Sequence, residues 1–146
     1  MNEVLFQRLH ADARLPQQAH HDDAGFDLHA TETATLAPGG RAAVGCGFAM
    51  ALREGMAALV VPRSGLALNE GVGVLNAPGL FDAGYRGEVK VILVNHDPFE
   101  TRTVEVGDRI AQLVLIDLPP TRFAEVTELP PSARGEGGFG STGKTT

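Results

Sequence analysis

The 146-residue sequence has few of the residues that mark a secreted, metal-binding or membrane protein. It holds one cysteine, Cys46, which excludes a disulfide within the chain and, in an apolar stretch, predicts a buried thiol. No C-x-x-C or H-E-x-x-H motif occurs, and the HHDD run at 20–23 lacks metal-ligand spacing, which favours a solvated loop. No apolar run is long enough to span a bilayer and no signal peptide opens the sequence, so we expect a cytoplasmic protein.

Positive charge and aromatic residues are also scarce. The chain has 12 Lys and Arg against 18 Asp and Glu, a net charge of −6, which argues against a general attraction to nucleic acid. Aromatic residues make up 5%, with no tryptophan and a single tyrosine, Tyr85. The remaining balance, 43% hydrophobic and 21% charged, is typical of one globular domain. A small polyanion can still bind where a few arginines and backbone amides converge.

Strand signals dominate over helix signals. Eighteen Gly and nine Pro divide the chain into short β-compatible pieces. The predicted strands are VLFQRL (4–9), RAAVGCGFAMAL (41–52), MAALVVP (56–62), EVKVILVN (88–95), RIAQLVLIDL (109–118) and RFAEVTEL (122–129). In 88–95, Val89, Val91, Leu93 and Asn95 share one face, which suits a sheet packed mainly on one side. The one helix candidate is SGLALNEG (64–71), with Ser64 as N-cap and Gly71 as stop. The pattern predicts an all-β, jelly-roll-like sandwich or barrel with at most one short helix.

The C-terminal stretch PPSARGEGGFGSTGKTT has one large apolar residue, Phe139, and is predicted to be a flexible arm that orders on binding. We therefore divide the chain into a β-rich core domain, 1–132, and a Gly-rich arm, 133–146. Residues 138–145 match the P-loop pattern, and residues 135–140 match the dinucleotide pattern G-x-G-x-x-G. A P-loop needs a strand before it and a helix after it, and the dinucleotide pattern needs a βαβ unit. Neither context is present, so we expect neither fold.

The arm can still bind an anion through glycine amides, Arg134, Ser141 and Thr142, and Phe139 can stack on a base. A disordered tail is the alternative. In PRSGLAL (62–68), Arg63, Ser64 and the Gly65 amide form a candidate anion site at a helix start, and a plain N-cap beside a surface arginine is the alternative.

Three other stretches hold polar groups in unusual settings. In AGFDLHA (24–30), Asp27 is either a solvent-side residue or a carboxylate held for a cation or an arginine. In LNAPGLFDAGYRGEV (75–89), Asp82 and Tyr85 supply either a general base and a stacking surface or only a turn aspartate and a half-buried tyrosine. In GDRIAQLVL (107–115), Gln112 lies in an apolar run and needs partners if buried.

The segments AGFDLHA, PRSGLAL, NAPGLFDAGYRGE, GDRIAQLVL and RGEGGFGSTG occur in this order between residues 24 and 143. Together they resemble the five motifs of the homotrimeric dUTPases. The resemblance implies an enzyme that hydrolyses dUTP to dUMP and pyrophosphate, which limits uracil in DNA and supplies dUMP for dTMP synthesis. It also implies a jelly-roll protomer in a trimer. Each site would take motifs one, two and four from one chain, motif three from a second, and motif five from the arm of the third.

The resemblance also implies roles for single residues. Asp82 would be the general base, Tyr85 would lie against the deoxyribose, and Asn76 with hairpin backbone at Gly79 would read uracil. Asp27 would contact Mg²⁺ through water, with the ion held mainly by the substrate phosphates. The implied phosphate-binding residues are Arg63, Ser64, Gly65 and Gln112, together with Arg134, Gly140, Ser141 and Thr142 of the arm, while Phe139 would stack on uracil.

Three positions depart from the common pattern of that family. Asn69 replaces a Lys or Arg, Phe81 replaces an Ile or Val, and Gly84 replaces a second Asp, which leaves Asp82 as the essential carboxylate. Two alternatives stay open: a dCTP deaminase-like member of the superfamily, whose Glu and Arg arrangement we do not find, and a non-catalytic nucleotide-binding regulatory trimer.

Overall fold

The computed structural model describes residues 3–139 and residue 143, and this part of the chain folds into ten strands and one helix. The elements are β1 (Leu5–Arg8), β2 (Phe26–His29), β3 (Ala34–Leu36), β4 (Arg41–Ala51), β5 (Met56–Val61), α1 (Ser64–Glu70), β6 (Val72–Val74), β7 (Gly79–Asp82), β8 (Glu88–Asn95), β9 (Arg102–Val104) and β10 (Arg109–Asp117). The all-β prediction with one short helix is confirmed. No helix in this described part is long and apolar enough to cross a membrane.

The strands form three antiparallel sheets. One four-stranded sheet has the order β1-β4-β8-β6, and a second has the order β2-β10-β5-β7. A two-stranded sheet pairs β3 with β9. In the second sheet β2 and β7 are the two edge strands, so the side chains of β2 and those of β7 lie at opposite edges of that sheet.

A single apolar core joins the two larger sheets. Phe48 and Leu93 from the first sheet and Leu28 and Ile110 from the second are each at most 2% exposed. The predicted buried face of β8 is confirmed, with Val89, Val91, Leu93 and Asn95 all buried. The amide of Asn95 is satisfied, since it donates to Leu36 O at 3.0 Å and Glu100 O at 2.8 Å and accepts from the Asp97 N–H at 2.9 Å.

The single cysteine is buried in strand β4, as predicted. Burial, together with the smaller effects of the nearby Glu88 and Glu32 carboxylates, raises the pKa of the Cys46 thiol to about 12. At neutral pH the side chain is therefore a neutral, unreactive thiol that packs as a small apolar group.

The helix begins one residue earlier than the predicted N-cap at Ser64 implies. Arg63, in extended conformation, occupies the N-cap position without a side-chain capping bond, and Ser64 is the first helical residue. The prediction of Ser64 as N-cap was therefore wrong. The predicted stop is confirmed, because Gly71 adopts the left-handed conformation at φ 66° and its N–H bonds to Ala67 O at 3.1 Å.

The predicted strand at 122–129 is also wrong. Its residues are all exposed, Phe123 completely so, and within residues 3–139 the segment forms no ladder with another strand. Pro119 and Pro120 precede it, and Pro130 follows it, so its backbone is separated from the sheets by residues that cannot donate a ladder hydrogen bond. Local β-propensity was not enough without a partner edge.

Candidate active site

Asp27 forms the centre of the first half of the site. It lies on edge strand β2 and is only 7% exposed. Its Oδ2 accepts a hydrogen bond from Arg109 Nη1 at 3.2 Å, and Arg63 Nε lies 3.5 Å from its Oδ1. Arg63 also donates from Nη1 to Arg109 O at 3.2 Å. Asp27 is thus a buried carboxylate shared between two guanidinium groups, rather than a solvent-side residue.

Gln112 joins the same half-site through strand register. It pairs with Asp27 on one side and with Val61 on the other. Its side chain packs on Gly25, where an added Cβ would lie 3.2 Å from Gln112 Cβ and Cδ. Sequence positions 25, 27 and 112 therefore meet at one place on the sheet.

Ser64 and Gly65 follow Arg63 directly and are both exposed. A Cβ built on Gly65 would meet no atom within 4 Å, so the space beside it is open. The backbone and hydroxyl of this turn are therefore accessible next to the Asp27 cluster.

Three arginines act on His29 in this corner. Burial lowers the pKa of His29, and the guanidinium groups of Arg14, Arg109 and Arg63 lower it further, against an opposing effect of Asp27. Arg63 and Arg109 also line a pocket with Arg102, Glu70 and Asp108, so donors for an anion converge there beside two carboxylates.

Asp82 and Tyr85 form the second half of the site, on the turn that leads from β7 in the second sheet to β8 in the first. We call this turn the Asp82 hairpin, although β7 and β8 do not pair with each other. Asp82 is exposed at the end of β7, and its carbonyl accepts the Tyr85 N–H at 3.1 Å. Tyr85 Oη donates to Glu88 O at 3.1 Å, and its ring lies 5.6 Å from the ring of Phe81. The ring rests on Gly87, where an added Cβ would overlap it. Tyr85 is 45% exposed, so part of the ring remains available to a ligand.

Asn76 and Gly79 lie at the other end of strand β7. Gly79 is buried and pairs with Val60, and a Cβ built on it would lie 3.3 Å from Val60 Cβ and 3.5 Å from Asn76 Nδ2. The amide of Asn76 is thus held over a glycine that leaves room for it.

The three positions that depart from the common dUTPase motif pattern are Asn69, Phe81 and Gly84. Asn69 is exposed on α1, Phe81 packs partly against the core and Tyr85, and a Cβ on Gly84 would meet nothing within 4 Å.

The two half-sites are well separated within one chain. Asp27 is on edge strand β2 and Asp82 on the opposite edge β7, three strand spacings or roughly 14 Å apart across the sheet. Along strand β5, Gln112 is paired with Val61 but Asp82 with Ala57, which adds roughly 13 Å in the strand direction. The two carboxylates of one chain are therefore too far apart to contact the same phosphate group.

The described part of the arm lies exposed. Arg134 Nε donates to Gly137 O at 2.6 Å, and the Gly135 N–H bonds to Ser132 O at 3.1 Å. Phe139 is fully exposed with φ 49°. These contacts all lie within residues 132–137, so the structure does not bring Arg134 or Phe139 to either half-site. The predicted residues Gly140, Ser141 and Thr142 lie outside the described residues.

Within the described part of the chain, no group of three or more His, Cys, Asp or Glu residues could hold a metal ion by itself. His20, His21 and Asp22 of the HHDD run are exposed. Asp27 Oδ1 is buried without a hydrogen-bond partner among these residues and so retains capacity to accept. One carboxylate flanked by two arginines fits a cation only when further oxygens, such as those of phosphates, supply most of its ligands.

Sequence reasoning missed Arg109. It stands in the segment GDRIAQLVL, but a polar residue at the start of a strand reads as an ordinary solvent-exposed position. Arg109 reaches Asp27 because it pairs opposite His29, two residues further along β2. That pairing is known only from the strand register.

An antiparallel β-sandwich with an arginine-bounded anion corner and a separate carboxylate–tyrosine turn is the arrangement of a nucleotide-binding protein. The family model described as dUTPase matches residues 11–143, and the chain belongs to the dUTPase family.

Curated relatives agree with this assignment. The deoxyuridine 5′-triphosphate nucleotidohydrolase of Streptomyces avermitilis is 57% identical over 140 residues, which cover 96% of this chain and 80% of that protein. The protein of the same name from Corynebacterium glutamicum is 54% identical over 142 residues, which cover 97% of this chain and 95% of that protein.

Solved structures share the fold. The Staphylococcus bacteriophage 80alpha dUTPase with dUpNHpp is 30% identical, with a TM-score of 0.89 and coverage of 98% of this chain and 99% of its own. A mutant dUTPase from phage phi11 of S. aureus, described with a structural Mg(II) ion, is 24% identical over 89% of this chain and 100% of its own, with a TM-score of 0.82. At that identity it shows the fold alone.

Proposed function

We propose that this chain hydrolyses dUTP to dUMP and pyrophosphate, with Asp82 as the general base, in composite sites of a homotrimer. The observation that carries the proposal is the placement of two complementary half-sites on opposite edges of one sheet: an anion corner at Asp27 and a carboxylate–tyrosine hairpin at Asp82. The first half-site has arginines around a buried carboxylate, and the second has an exposed carboxylate and an aromatic ring. Membership of the dUTPase family supports the reaction itself.

The anion corner would hold the triphosphate. Arg63 and Gln112 would contact phosphate oxygens through side-chain donors, and Ser64 and Gly65 through the hydroxyl and backbone amides of the exposed turn. Arg109 remains bound to Asp27 and so keeps that carboxylate from repelling the phosphates. Phosphoryl transfer depends on positioning and charge neutralisation more than on covalent chemistry, which is what this corner supplies.

The hairpin would carry the chemistry and the specificity. Asp82 would accept a proton from a water molecule as the water oxygen bonds to the α-phosphorus in line, and the bond from that phosphorus to the bridging oxygen breaks to release pyrophosphate. Tyr85, fixed on Gly87, would lie against the deoxyribose where a 2′-hydroxyl would clash. Asn76 and the backbone at Gly79 would bond the uracil edge, and a wrong base would leave those groups unpaired.

A trimer would bring the half-sites together. One chain would supply Asp27, Arg63 and Gln112, a second chain the Asp82 hairpin, and a third the arm with Arg134, Phe139, Gly140, Ser141 and Thr142. The large separation of the half-sites within one chain supports this arrangement. Exposed apolar side chains at Leu68, Leu80 and Phe123 also fit burial between copies.

A Mg²⁺ ion bound with the substrate would neutralise part of the triphosphate charge. The free acceptor capacity of Asp27 Oδ1 fits a contact to such an ion through water, with most ligands provided by phosphate oxygens. The single buried cysteine fits function in the reducing cytoplasm.

A hydrolysis panel tests the proposal. Pyrophosphate and ammonia release are measured from dUTP, dTTP, dCTP and UTP, each with and without Mg²⁺. We expect rapid pyrophosphate release from dUTP alone, stimulated by Mg²⁺. Ammonia from dCTP would instead identify a deaminase, and tight dUTP binding without turnover would identify a regulatory binding protein.

A further inference from the structure

Strand β4 contains a bulge directly beside the Asp82 hairpin. Gly45 pairs with Lys90 of β8, but the next pair is Ala49 with Glu88, so β4 has two more residues than β8 in this interval. Gly47 within the bulge has φ +70°, and an added Cβ there would lie 2.8 Å from His10 and Thr31 side-chain atoms. The bulge is thus tightly enclosed and requires glycine at its centre.

Two carboxylates accept hydrogen bonds from β4 N–H groups at this bulge. The Gly45 N–H donates to Glu32 Oε1 at 2.7 Å, and the Gly47 N–H donates to Glu88 Oε1 at 3.0 Å. Without these acceptors two partly buried N–H groups would be left unpaired. Lys90 Nζ lies 3.5 Å from Glu88 Oε2 and balances the charge of that carboxylate.

Glu88 differs from Glu32 because its backbone also holds the hairpin. Glu88 O accepts the hydrogen bond of Tyr85 Oη, and the Tyr85 N–H bonds to Asp82 O. A continuous chain of contacts therefore runs from Gly47 through the side chain and backbone of Glu88 to Tyr85 and Asp82. Glu32 is bound to the same bulge but has no such link among the described residues.

We propose that Glu88 is a positioning residue for dUTP hydrolysis, one that fixes the sugar-facing ring of Tyr85 by bonding its own carboxylate to the β4 bulge. This inference rests on the proposed function. Glu88 would touch neither substrate nor water. It would act by holding its own backbone carbonyl, and through it the Tyr85 hydroxyl, at a constant position relative to the sheet.

The test compares Glu88→Ala, Glu88→Gln and Glu88→Asp with the matched control Glu32→Ala, using kcat and KM for dUTP and for UTP together with Tm. We expect Glu88→Ala to lower the ratio of kcat/KM for dUTP over UTP on the order of tenfold, since small displacements of positioning groups cost this much or more. Glu88→Gln keeps an acceptor for the Gly47 N–H and should restore the ratio to within about twofold. Glu88→Asp withdraws the carboxylate by one methylene and should behave like alanine.

Glu32→Ala should lower Tm but leave the dUTP/UTP ratio unchanged. A ratio unchanged in both Glu88→Ala and Glu88→Asp would overturn the proposal, as would an equal loss of discrimination in Glu32→Ala. If Glu88→Ala does not fold, Glu88→Asp decides by the same ratio. Absence of dUTP hydrolysis in the unaltered protein would instead refute the proposed function, so the two failures are distinguishable.

Discussion

Arg109 Nη1 lies 3.2 Å from Asp27 Oδ2, and this contact joins strands β10 and β2 at the edge of the second sheet. The same carboxylate has Arg63 on its other oxygen. Two arginines on one aspartate leave an excess of positive charge at the corner, and the aspartate in turn restricts where both guanidinium groups can lie.

Substituting Arg109→Ala should weaken both stability and substrate binding. Asp27 would keep only Arg63, which would then be drawn to the carboxylate and away from phosphate. Because the Arg109 side chain is half exposed, we expect a loss of about 1 kcal/mol in unfolding free energy, and a KM for dUTP raised severalfold. Urea unfolding and steady-state kinetics measure the two effects. Arg41→Ala, an exposed arginine at the start of β4, is the control, and an equal KM change there would contradict the assignment.

Asp82→Asn should abolish most turnover without preventing binding. The amide is close in shape to the carboxylate but cannot accept the proton of the attacking water, so kcat should fall by roughly 10² to 10⁴, the range for loss of a general base. Calorimetry should find dUTP affinity within a few fold of the unaltered protein. Asp22→Asn, in the exposed HHDD loop, should change neither quantity. Near-normal pyrophosphate release from Asp82→Asn would exclude it as the base.

A chain that ends at Ser132 should still assemble but lose most activity. The arm contributes exposed residues rather than core contacts, so light scattering should give a trimer. Turnover should fall on the order of a hundredfold, because donors preorganised around the phosphates are lost. A chain ending at Gly143 should remain active, since Lys144 and Thr145 are not assigned a role. Full activity of the shorter chain would show the arm to be dispensable.

Mixing the two inactive proteins should restore activity if sites are shared between chains. Asp82→Asn chains carry an intact arm, and chains ending at Ser132 carry an intact Asp82. After joint unfolding and refolding in equal amounts, roughly a quarter of the sites would combine an intact Asp82 with an intact arm from another chain. Pyrophosphate release that stays at the level of the separately refolded proteins would show that each site comes from one chain.

Acid stability should depend on Asp97. Its Oδ1 accepts the N–H groups of Glu100 and Phe99, and its Oδ2 accepts Arg102 Nη2 at 2.7 Å; these bonds lower the pKa of Asp97 from 3.8 to about 2. Because the pKa of Asp97 is lower in the folded than in the unfolded protein, its ionised carboxylate stabilises the fold when the pH is above the unfolded-state pKa. That stabilisation is lost as the pH falls through about 2. The Tm difference between the unaltered protein and Asp97→Asn should therefore be largest above about pH 5 and shrink towards pH 2. A difference that is constant with pH would contradict this.

The long strands and β1 could be predicted from the sequence, but the three-residue strands β3, β6 and β9 could not. The strand β8 was predicted at its observed bounds because Val89, Val91, Leu93 and Asn95 recur at every second position, and all four are buried. Strand β3 has three residues and pairs with β9, so its strand conformation depends on contacts almost seventy residues away. The opposite error occurred at 122–129, where local composition favours a strand but no neighbouring edge is available in the described part of the chain.

The same limit applies to the site. The residue types pointed to an anion at Arg63, to a cation or an arginine at Asp27 and to unidentified partners at Gln112, but the proximity of Asp27 and Gln112 depends on the register of β10 against β2 and β5. Glu88 stands at a strand start, where a charged residue is unremarkable. Only the N–H groups at the β4 bulge show why a carboxylate is needed there.

Gly87 contributes no side chain to any ligand, yet it determines where the Tyr85 ring can rest. Any larger residue would displace the ring outward, towards the space that the sugar would occupy. With Tyr85 against the deoxyribose, as proposed, substitutions at Gly87 should change the preference between deoxyribose and ribose without contacting the nucleotide. Directed evolution for a changed sugar preference should accordingly sample residues 87 and 88 as well as the tyrosine itself.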